Sequence, residues 1–207
     1  MFQVFTKNLL FSTILFISYS LFSEEYKAGK HYQILPQTIA TRDAKKIEII
    51  EFFWFGCGHC YSLENQLKSW EEKLPSDIDF WRSPITWNEM AKTHAKLFFA
   101  AEFFEKPEII SNTFVSIHAN RRMMTSDQEL QPFFASFGIT EDQYLSLFNS
   151  FAMQNKIRRA DTFGLKYQIR GVPAFIVNGK YKVSASNDVG TAELLDVVDY
   201  LINLERN

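Results

Sequence analysis

Cysteine is scarce in this chain of 207 residues, which contains only two, Cys57 and Cys60. A disulfide between residues three positions apart closes too short a loop to restrict the unfolded chain much, so the pair is a poor structural staple. A zinc site would need about four ligands, and the histidines outside this segment, His31, His94 and His118, stand singly without ligand spacing. The scarcity argues against a disulfide scaffold and a metal site, and it favours a pair of thiols that switches between reduced and oxidised forms.

The chain also lacks an excess of charge of either sign. It carries 22 lysines and arginines against 24 aspartates and glutamates, which gives a formal net charge of −2. Proteins that bind nucleic acid or anionic lipid through electrostatics concentrate basic residues. The composition therefore gives no indication of a nucleic-acid or lipid partner.

Long hydrophobic runs are missing as well, apart from one near the N-terminus. Residues 9–22 are apolar with small polar interruptions and follow a single cation, Lys7. The run is too short for a comfortable membrane span of about 20 apolar residues, and it ends in small residues, with Ser20 and Ser23 as cleavage sites. We interpret residues 1–23 as a secretory signal peptide. The alternative is an uncleaved anchor, because the residues before both sites depart from the Ala-x-Ala pattern; the globular part is exported in either case.

The two cysteines lie where a predicted strand passes directly into a predicted helix. Residues 47–55 are β-branched and aromatic, which is typical of a strand buried on both faces. Across residues 61–74, apolar side chains recur at helical spacing with charged residues between them. Cys57 would then sit at the helix N-terminus, where free backbone N–H groups and the helix dipole lower the pKa of a thiol. Protonated His59 would add to this effect, and Cys60, one turn further on, is placed to be the shielded thiol that attacks a mixed disulfide.

The rest of the chain predicts an α/β fold with a long helical segment in the middle. Residues 78–87 form a second strand, which completes a βαβ unit with a right-handed crossover. No strand pattern occurs across residues 88–167, where capping signals favour four or five short helices with a core of phenylalanines. The remaining predicted elements are an edge strand at 31–35, hairpin strands at 174–177 and 180–183 around an Asn178-Gly179 turn, and an amphipathic helix at 191–204.

These elements and their motifs resemble the thioredoxin fold, and specifically the DsbA family of exported thiol:disulfide oxidoreductases. The resemblance implies a mixed central sheet, built as βαβ and then ββα, with an inserted all-helical subdomain. It places the first thioredoxin-like half at 24–87, the helical insertion at 88–167 and the second half at 168–207. The matching motifs are Glu51-Phe52-Phe53, Cys57-Gly58-His59-Cys60-Tyr61, Gly171-Val172-Pro173-Ala174 and Val177-Asn178-Gly179-Lys180-Tyr181.

The resemblance also implies roles for individual residues. Cys57 resembles the exposed nucleophile of the family, Cys60 the resolving cysteine, and His59 the histidine that stabilises the thiolate. Val172 and Pro173 resemble the cis-proline loop, which faces the cysteines and pairs with the backbone of a bound substrate. The redox group that the family uses is the disulfide itself, so neither a cofactor nor a metal is expected.

Three positions around the cysteines need a separate interpretation. Glu51 is an acid inside an apolar strand, so it must be paired or have a raised pKa; the family has a basic partner, usually lysine, at the position of Arg82. An arginine is effectively always charged and cannot act as a proton donor, so a merely structural ion pair is an equal alternative to a functional one.

Gly58 stands where strongly oxidising members have proline, and Cys-Gly-His-Cys resembles the motif of protein disulfide isomerase, which implies a milder oxidant.

The resulting hypothesis is a periplasmic enzyme that donates its Cys57–Cys60 disulfide to cysteines of unfolded, newly exported proteins. In the family's cycle, a quinone-linked membrane oxidase of the DsbB type then restores the disulfide. Two alternatives stay open: a disulfide reductase or isomerase of the same fold, and a redox-inactive peptide-binding chaperone. We expect a monomer, because no dimerisation segment precedes the domain.

Overall fold

The computed structural model describes residues 26–206. The signal peptide predicted at residues 1–23 lies outside the described residues. Within the described range, no helix combines the length and the apolar character needed to span a membrane. These residues form one five-stranded sheet, whose strands are β1 Gln33–Ile34, β2 Ile47–Phe53, β3 Ile78–Pro84, β4 Ala174–Val177 and β5 Tyr181–Ser184.

The sheet has the strand order β1-β5-β4-β2-β3 and mixes parallel with antiparallel neighbours. β2 and β3 run parallel, as a βαβ unit requires, whereas β4 pairs antiparallel with the other edge of β2. β5 continues the sheet antiparallel to β4, and the short strand β1 pairs with β5 at the outer edge. This topology confirms the predicted α/β fold with a mixed central sheet.

Helix α1, Gly58–Glu71, joins β2 to β3, and five helices follow between β3 and β4. A 3-10 helix, Thr191–Glu193, leads into the last helix after β5. The division into segments at 24–87, 88–167 and 168–207 stays a prediction. The remaining helices are α2 Glu89–Phe103, α3 Glu108–His118, α4 Asp127–Ala135, α5 Glu141–Phe148, α6 Phe151–Lys166 and α7 Leu194–Arg206.

Several element boundaries differ from those predicted, most clearly at the second strand and the C-terminal helix. The second strand ends at Pro84 rather than residue 87, because its partner β2 ends opposite it at Phe53; Asn88 then caps α2 by accepting a backbone N–H of its first turn at 2.9 Å. The first helix begins at Gly58 with Cys57 as its N-cap, which confirms the prediction that Cys57 lies at the helix N-terminus, although the periodic pattern begins only at residue 61. The C-terminal helix begins with the 3-10 helix, so α7 itself starts only at Leu194.

The two faces of the sheet are covered by different helices, because neighbouring residues of a strand point to opposite sides. Ile49 packs in a cluster with residues of α1 and α7, whereas Ile50 packs with residues of α2 and α6. A third cluster joins the end of β2 to the helical segment; its buried phenylalanines are Phe53, Phe55, Phe99, Phe114, Phe133, Phe134 and Phe148. Phe103 and Phe151 are exceptions, with exposed fractions of 41% and 72%.

The hairpin between β4 and β5 turns through Asn178 and Gly179, which have left-handed φ angles of 49° and 63° as the Asn-Gly pair predicts. The Lys180 N–H donates to the Val177 carbonyl at 3.0 Å and closes the turn. Gly179 has no room for a side chain, because an ideal Cβ would lie 1.9 Å from the carbonyl oxygen of Ile39. The Ile39 N–H donates to the Gly179 carbonyl at 2.9 Å, so the turn also anchors the segment before β2.

Replacing Gly179 with alanine is expected to destabilise the fold by at least about 2 kcal/mol, because a backbone clash adds to the strain of the left-handed conformation. Gly29 is the matched control, since its φ is 79° but nothing lies within 4 Å of its ideal Cβ. Gly29→Ala should lose only about 1 kcal/mol. Urea unfolding of both variants gives the difference, and equal losses would contradict the importance of the Ile39 contact.

Candidate active site

Cys57 lies at the junction of β2 and α1, where it is the N-cap residue of the helix. Its N–H donates to the Trp54 carbonyl at 3.0 Å and holds the turn. The Trp54 indole lies so close to Gly56 that an ideal Cβ there would be 2.5 Å from the ring. Glycine at position 56 therefore leaves room for the Trp54 ring against the turn. The Cys57 sulfur faces the start of α1, where it accepts a hydrogen bond from the Cys60 N–H at 3.5 Å.

The environment of Cys57 lowers the pKa of its thiol to about 6. The largest cause is the hydrogen bond from the Cys60 thiol, and the partial burial of Cys57 acts in the opposite direction. The backbone N–H groups of Cys60 and His59 lower the pKa further, as does the charge of His59. The thiolate is therefore the main form of Cys57 at neutral pH, and the thiolate is the form that reacts.

Cys60 has the opposite properties. It is 1% exposed, and burial raises the pKa of its thiol well above the usual range. The hydrogen bond to Cys57 and the negative charge of Glu51 raise this pKa further. Both cysteines are free thiols in this structure, so an external thiol or disulfide meets the acidic, half-buried Cys57 before it meets Cys60.

The loop before β4 faces Cys57. Its Val172–Pro173 peptide bond is cis, and the Val172 carbonyl accepts a hydrogen bond from the Cys57 thiol at 3.4 Å. Val172 is half-buried and Pro173 is buried. β2 and β4 are neighbouring strands, with Phe52 opposite Ala174. The cysteine pair, which follows β2, and this loop, which precedes β4, therefore lie at the same end of the two strands.

His59 is exposed on the first turn of α1. Its Nδ1 lies 3.3 Å from the hydroxyl oxygen of Thr191 in the 3-10 helix. A second contact follows further along α1, where the Gln66 side chain donates to the Ala192 carbonyl at 3.0 Å. Sequence reasoning missed Thr191, because it belongs to no motif and lies 132 positions from His59.

Arg82 on β3 joins two carboxylates. Its Nε donates to Glu51 at 2.5 Å, and its two terminal nitrogens donate to the two carboxylate oxygens of Glu64 at 3.0 and 2.8 Å. The sheet register places Glu51 directly opposite Arg82, and the guanidinium also lies 4.3 Å from the centre of the Phe53 ring. Glu64 was missed by sequence reasoning, although it stands four residues after Cys60 and so shares its face of α1.

Glu51 is fully buried, and burial raises the pKa of its carboxyl group to about 7. The charge of Arg82 lowers the pKa but does not cancel the effect of burial, and the charge of Glu64 adds to the increase. The Oε1 atom of Glu51 has no hydrogen-bond partner within the part of the chain that the structure describes. Because Arg82 stays charged, Glu51 is the member of this group that titrates near neutral pH.

Stacked aromatic side chains from α1 and α3 lie beside the cysteines. Tyr61, directly after Cys60, stacks on the imidazole of His118 in α3, with ring centroids 4.7 Å apart and an angle of 7° between the planes. The His118 Nε2 lies 2.7 Å from the carbonyl oxygen of Phe55. Phe114 extends the stack at 6.0 Å from Tyr61. Helix α3 therefore contacts both the turn before Cys57 and the Tyr61 side chain of α1.

The histidines and acids near the site do not converge on a metal position. Among residues 26–206, no group of three or more histidine, cysteine, aspartate or glutamate side chains is arranged to hold a metal ion. His94, for example, is 2% exposed and directs its Nε2 to the Met123 carbonyl at 2.8 Å.

Comparison with known proteins identifies the family. The sequence model described as "DSBA-like thioredoxin domain" matches residues 77–196, which is more than half of the chain. The thiol:disulfide interchange protein DsbA of Pseudomonas aeruginosa is 34% identical over 206 residues, or 97% of each chain. The protein of that name from Azotobacter vinelandii is also 34% identical, over 91% of this chain and 88% of its own.

The solved structures agree with the sequence relatives. The crystal structure of Pseudomonas aeruginosa DsbA superposes with a TM-score of 0.82 at 34% identity, and the match covers 89% of this chain and 96% of that one. The oxidoreductase DsbA from Xylella fastidiosa superposes with a TM-score of 0.79 at 25% identity, over 87% of this chain and 98% of its own. The chain therefore belongs to the DsbA family of thiol:disulfide oxidoreductases.

Proposed function

We propose that this protein donates its Cys57–Cys60 disulfide to cysteines of newly exported proteins. The observation that carries the proposal is the asymmetry of the two thiols, since Cys57 is half-buried with a pKa of about 6 and Cys60 is buried with a raised pKa. A stable Cys57 thiolate stabilises the reduced form relative to the disulfide, so the disulfide is easily reduced and acts as an oxidant. The name shared by the relatives, thiol:disulfide interchange protein, supports the same activity.

Donation takes two exchange steps. A client thiolate attacks the Cys57 sulfur of the disulfide, the S–S bond breaks, and Cys60 leaves with the electron pair and takes up a proton. A second client thiolate attacks the client sulfur of this mixed disulfide, and Cys57 leaves as a thiolate. The client has lost two electrons and gained a disulfide, while the Cys57–Cys60 pair has gained those electrons. The low pKa of Cys57 makes it a good leaving group in the second step.

The client is held beside Cys57 by the loop that contains Val172 and Pro173. The Val172 carbonyl oxygen lies 3.4 Å from the Cys57 sulfur, so an extended chain that pairs with this loop passes next to that sulfur. Tyr61 is 36% exposed and offers an aromatic contact nearby, stacked on His118. Such apolar contacts favour unfolded chains without selecting one sequence.

The cellular setting follows from the same proposal. The enzyme works in the periplasm as a monomer, after export by the segment at residues 1–23. Its clients are unfolded proteins that contain cysteines, and a quinone-linked membrane oxidase of the DsbB type takes up the two electrons. The Cys57–Cys60 disulfide is the redox group that this enzyme contributes to the cycle. The family membership supports this setting.

A disulfide reductase or isomerase is the second candidate, and Gly58 is the observation that favours it. Gly58 is exposed, and nothing lies within 4 Å of its ideal Cβ, so packing does not require glycine between the cysteines. A glycine here gives the Cys-Gly-His-Cys motif in place of the proline-containing form of strongly oxidising members. A change inside the motif alters how well the thiolate is stabilised, and thus the redox equilibrium.

The reduction potential of the Cys57–Cys60 pair decides between the two candidates. Equilibration in glutathione buffers should give a potential well above that of thioredoxin, about −270 mV, because the thiolate stabilises the dithiol form. Thiolate absorbance measured in parallel should show half-ionisation of Cys57 near pH 6. A potential close to that of thioredoxin would contradict disulfide donation and favour the reductase or isomerase.

The roles of the two cysteines are tested by a matched pair of variants, Cys57→Ser and Cys60→Ala. With glutathione disulfide at pH 7, Cys60→Ala should form a stable mixed disulfide, because the Cys57 thiolate attacks and no second thiol releases the adduct. Cys57→Ser should form little adduct, because Cys60 is buried and protonated. Intact mass spectrometry counts the adducts. Equal rates of modification in the two variants would contradict the assignment.

Glu51 is proposed to exchange a proton with Cys60 during the cycle. Cys60 must take up a proton when it leaves Cys57 and lose it when the disulfide is restored. The charge of Glu51 already affects the pKa of Cys60, and its own pKa of about 7 allows it to give or take a proton near neutral pH. Arg82 holds the carboxylate in place without titrating.

The raised pKa of Glu51 also predicts how stability depends on pH. Its folded-state pKa of about 7 lies above its ordinary value of 4.5, so the folded state binds this proton more tightly than the unfolded state. The contribution is complete below pH 4.5 and is lost as the pH rises through 7, a decrease of about 3 kcal/mol. Urea unfolding at several pH values should show this decrease in the wild type and not in Glu51→Gln. Parallel pH profiles for the two proteins would contradict the raised pKa.

A further inference from the structure

The imidazole of His59 has a defined partner although it is exposed. Within residues 26–206, the hydrogen bond of its ring is to the Thr191 hydroxyl, 3.3 Å from Nδ1. An exposed histidine on the first turn of a helix can adopt several side-chain rotamers. The hydrogen bond with the Thr191 hydroxyl therefore favours one rotamer of His59. That rotamer sets the distance between the imidazole and the Cys57 sulfur.

Thr191 is held in place independently of His59. The Gly190 N–H donates to the Glu193 carboxylate at 2.7 Å, which fixes the start of the 3-10 helix. Val189, just before it, is 1% exposed and belongs to the core beneath α7. On the other side, the Gln66 side chain of α1 donates to the Ala192 carbonyl. The hydroxyl is thus fixed relative to α1 by contacts on both sides of it.

A hydroxyl suits both protonation states of the ring. When His59 is protonated, its Nδ1–H donates to the Thr191 oxygen; when Nδ1 is unprotonated, the hydroxyl donates to it. The contact is therefore maintained in the state that matters for Cys57, in which the ring carries a positive charge. The effect of that charge on the Cys57 sulfur falls with distance, so it depends on where the ring is held.

We propose that Thr191 is a positioning residue, whose hydroxyl holds the His59 imidazole where its charge stabilises the Cys57 thiolate and so favours the dithiol form of the Cys57–Cys60 pair. The inference rests on the proposed function, because it concerns the same thiolate. It adds a residue outside the Cys-x-x-Cys motif to the groups that set the redox equilibrium. Thr191 is distant from the motif in sequence, 132 positions from His59.

Thr191→Val tests the proposal, because valine has nearly the same shape and lacks the hydroxyl. In glutathione buffers, the equilibrium of Thr191→Val is expected to move about two- to fivefold toward the disulfide, as for the loss of one hydrogen bond. The pKa of Cys57, followed by thiolate absorbance, should rise in parallel. Thr191→Ser is the control, since it keeps the hydroxyl, and its equilibrium should stay close to that of the wild type.

A double-mutant cycle separates this role from a structural one. If Thr191 acts through His59, then Thr191→Val should have no further effect in the His59→Ala background. The proposal is overturned if Thr191→Val alone leaves the equilibrium unchanged, or if its full effect persists without His59. The wild-type potential in the same buffers tests disulfide donation separately, so a thioredoxin-like wild type whose equilibrium still shifts in Thr191→Val would contradict only the proposed function.

Discussion

The hydrogen bonds that converge on the Cys57 sulfur are the interaction on which the rest of the active site depends. The Cys60 thiol, the backbone N–H groups at the start of α1 and the charge of His59 all favour a negative charge at this atom. They can do so because β2 delivers Cys57 to the N-cap position and the turn at Gly56 leaves room for the Trp54 ring. Reactivity is therefore set by the first turn of α1, which supplies the Cys60 thiol, the backbone N–H groups and the charge of His59.

The charges behind Cys60 depend on which basic residue stands opposite Glu51 on β3. With lysine on β3, either member of an acid–base pair could change its protonation. With Arg82, only an acid can. Arg82 is shared between Glu51 and Glu64, so one cation faces two carboxylates in a poorly solvated place. A raised pKa for the more deeply buried acid relieves this imbalance, and that acid is Glu51.

Local signals in the sequence predicted much of this architecture. The buried strand, the Cys-x-x-Cys pair, the Asn178-Gly179 turn and the mixed sheet could be predicted because each depends on neighbouring residues or on the order of elements. The contacts of Glu64 with Arg82 and of Thr191 with His59 could not, because they join segments brought together only by packing. The ends predicted for the two parallel strands, residues 55 and 87, lie too far along the chain, because their paired register stops at Phe53 and Pro84 and an apolar run does not record where pairing stops.

The pairing of β2 with β4 has a consequence for how this fold can vary. The residues that flank the reacting sulfur come from both strands, and the antiparallel register that sets Phe52 opposite Ala174 fixes their separation. The chain between Pro84 and Ala174 leaves the sheet and returns to it without taking part in that register. The lengths and side chains of these helices can therefore vary without changing the strand register, except in α3, where His118 contacts the Phe55 carbonyl in the turn before Cys57. The strand register thus fixes the geometry around the Cys57 sulfur, whereas the helices determine the shape of the surface that surrounds it.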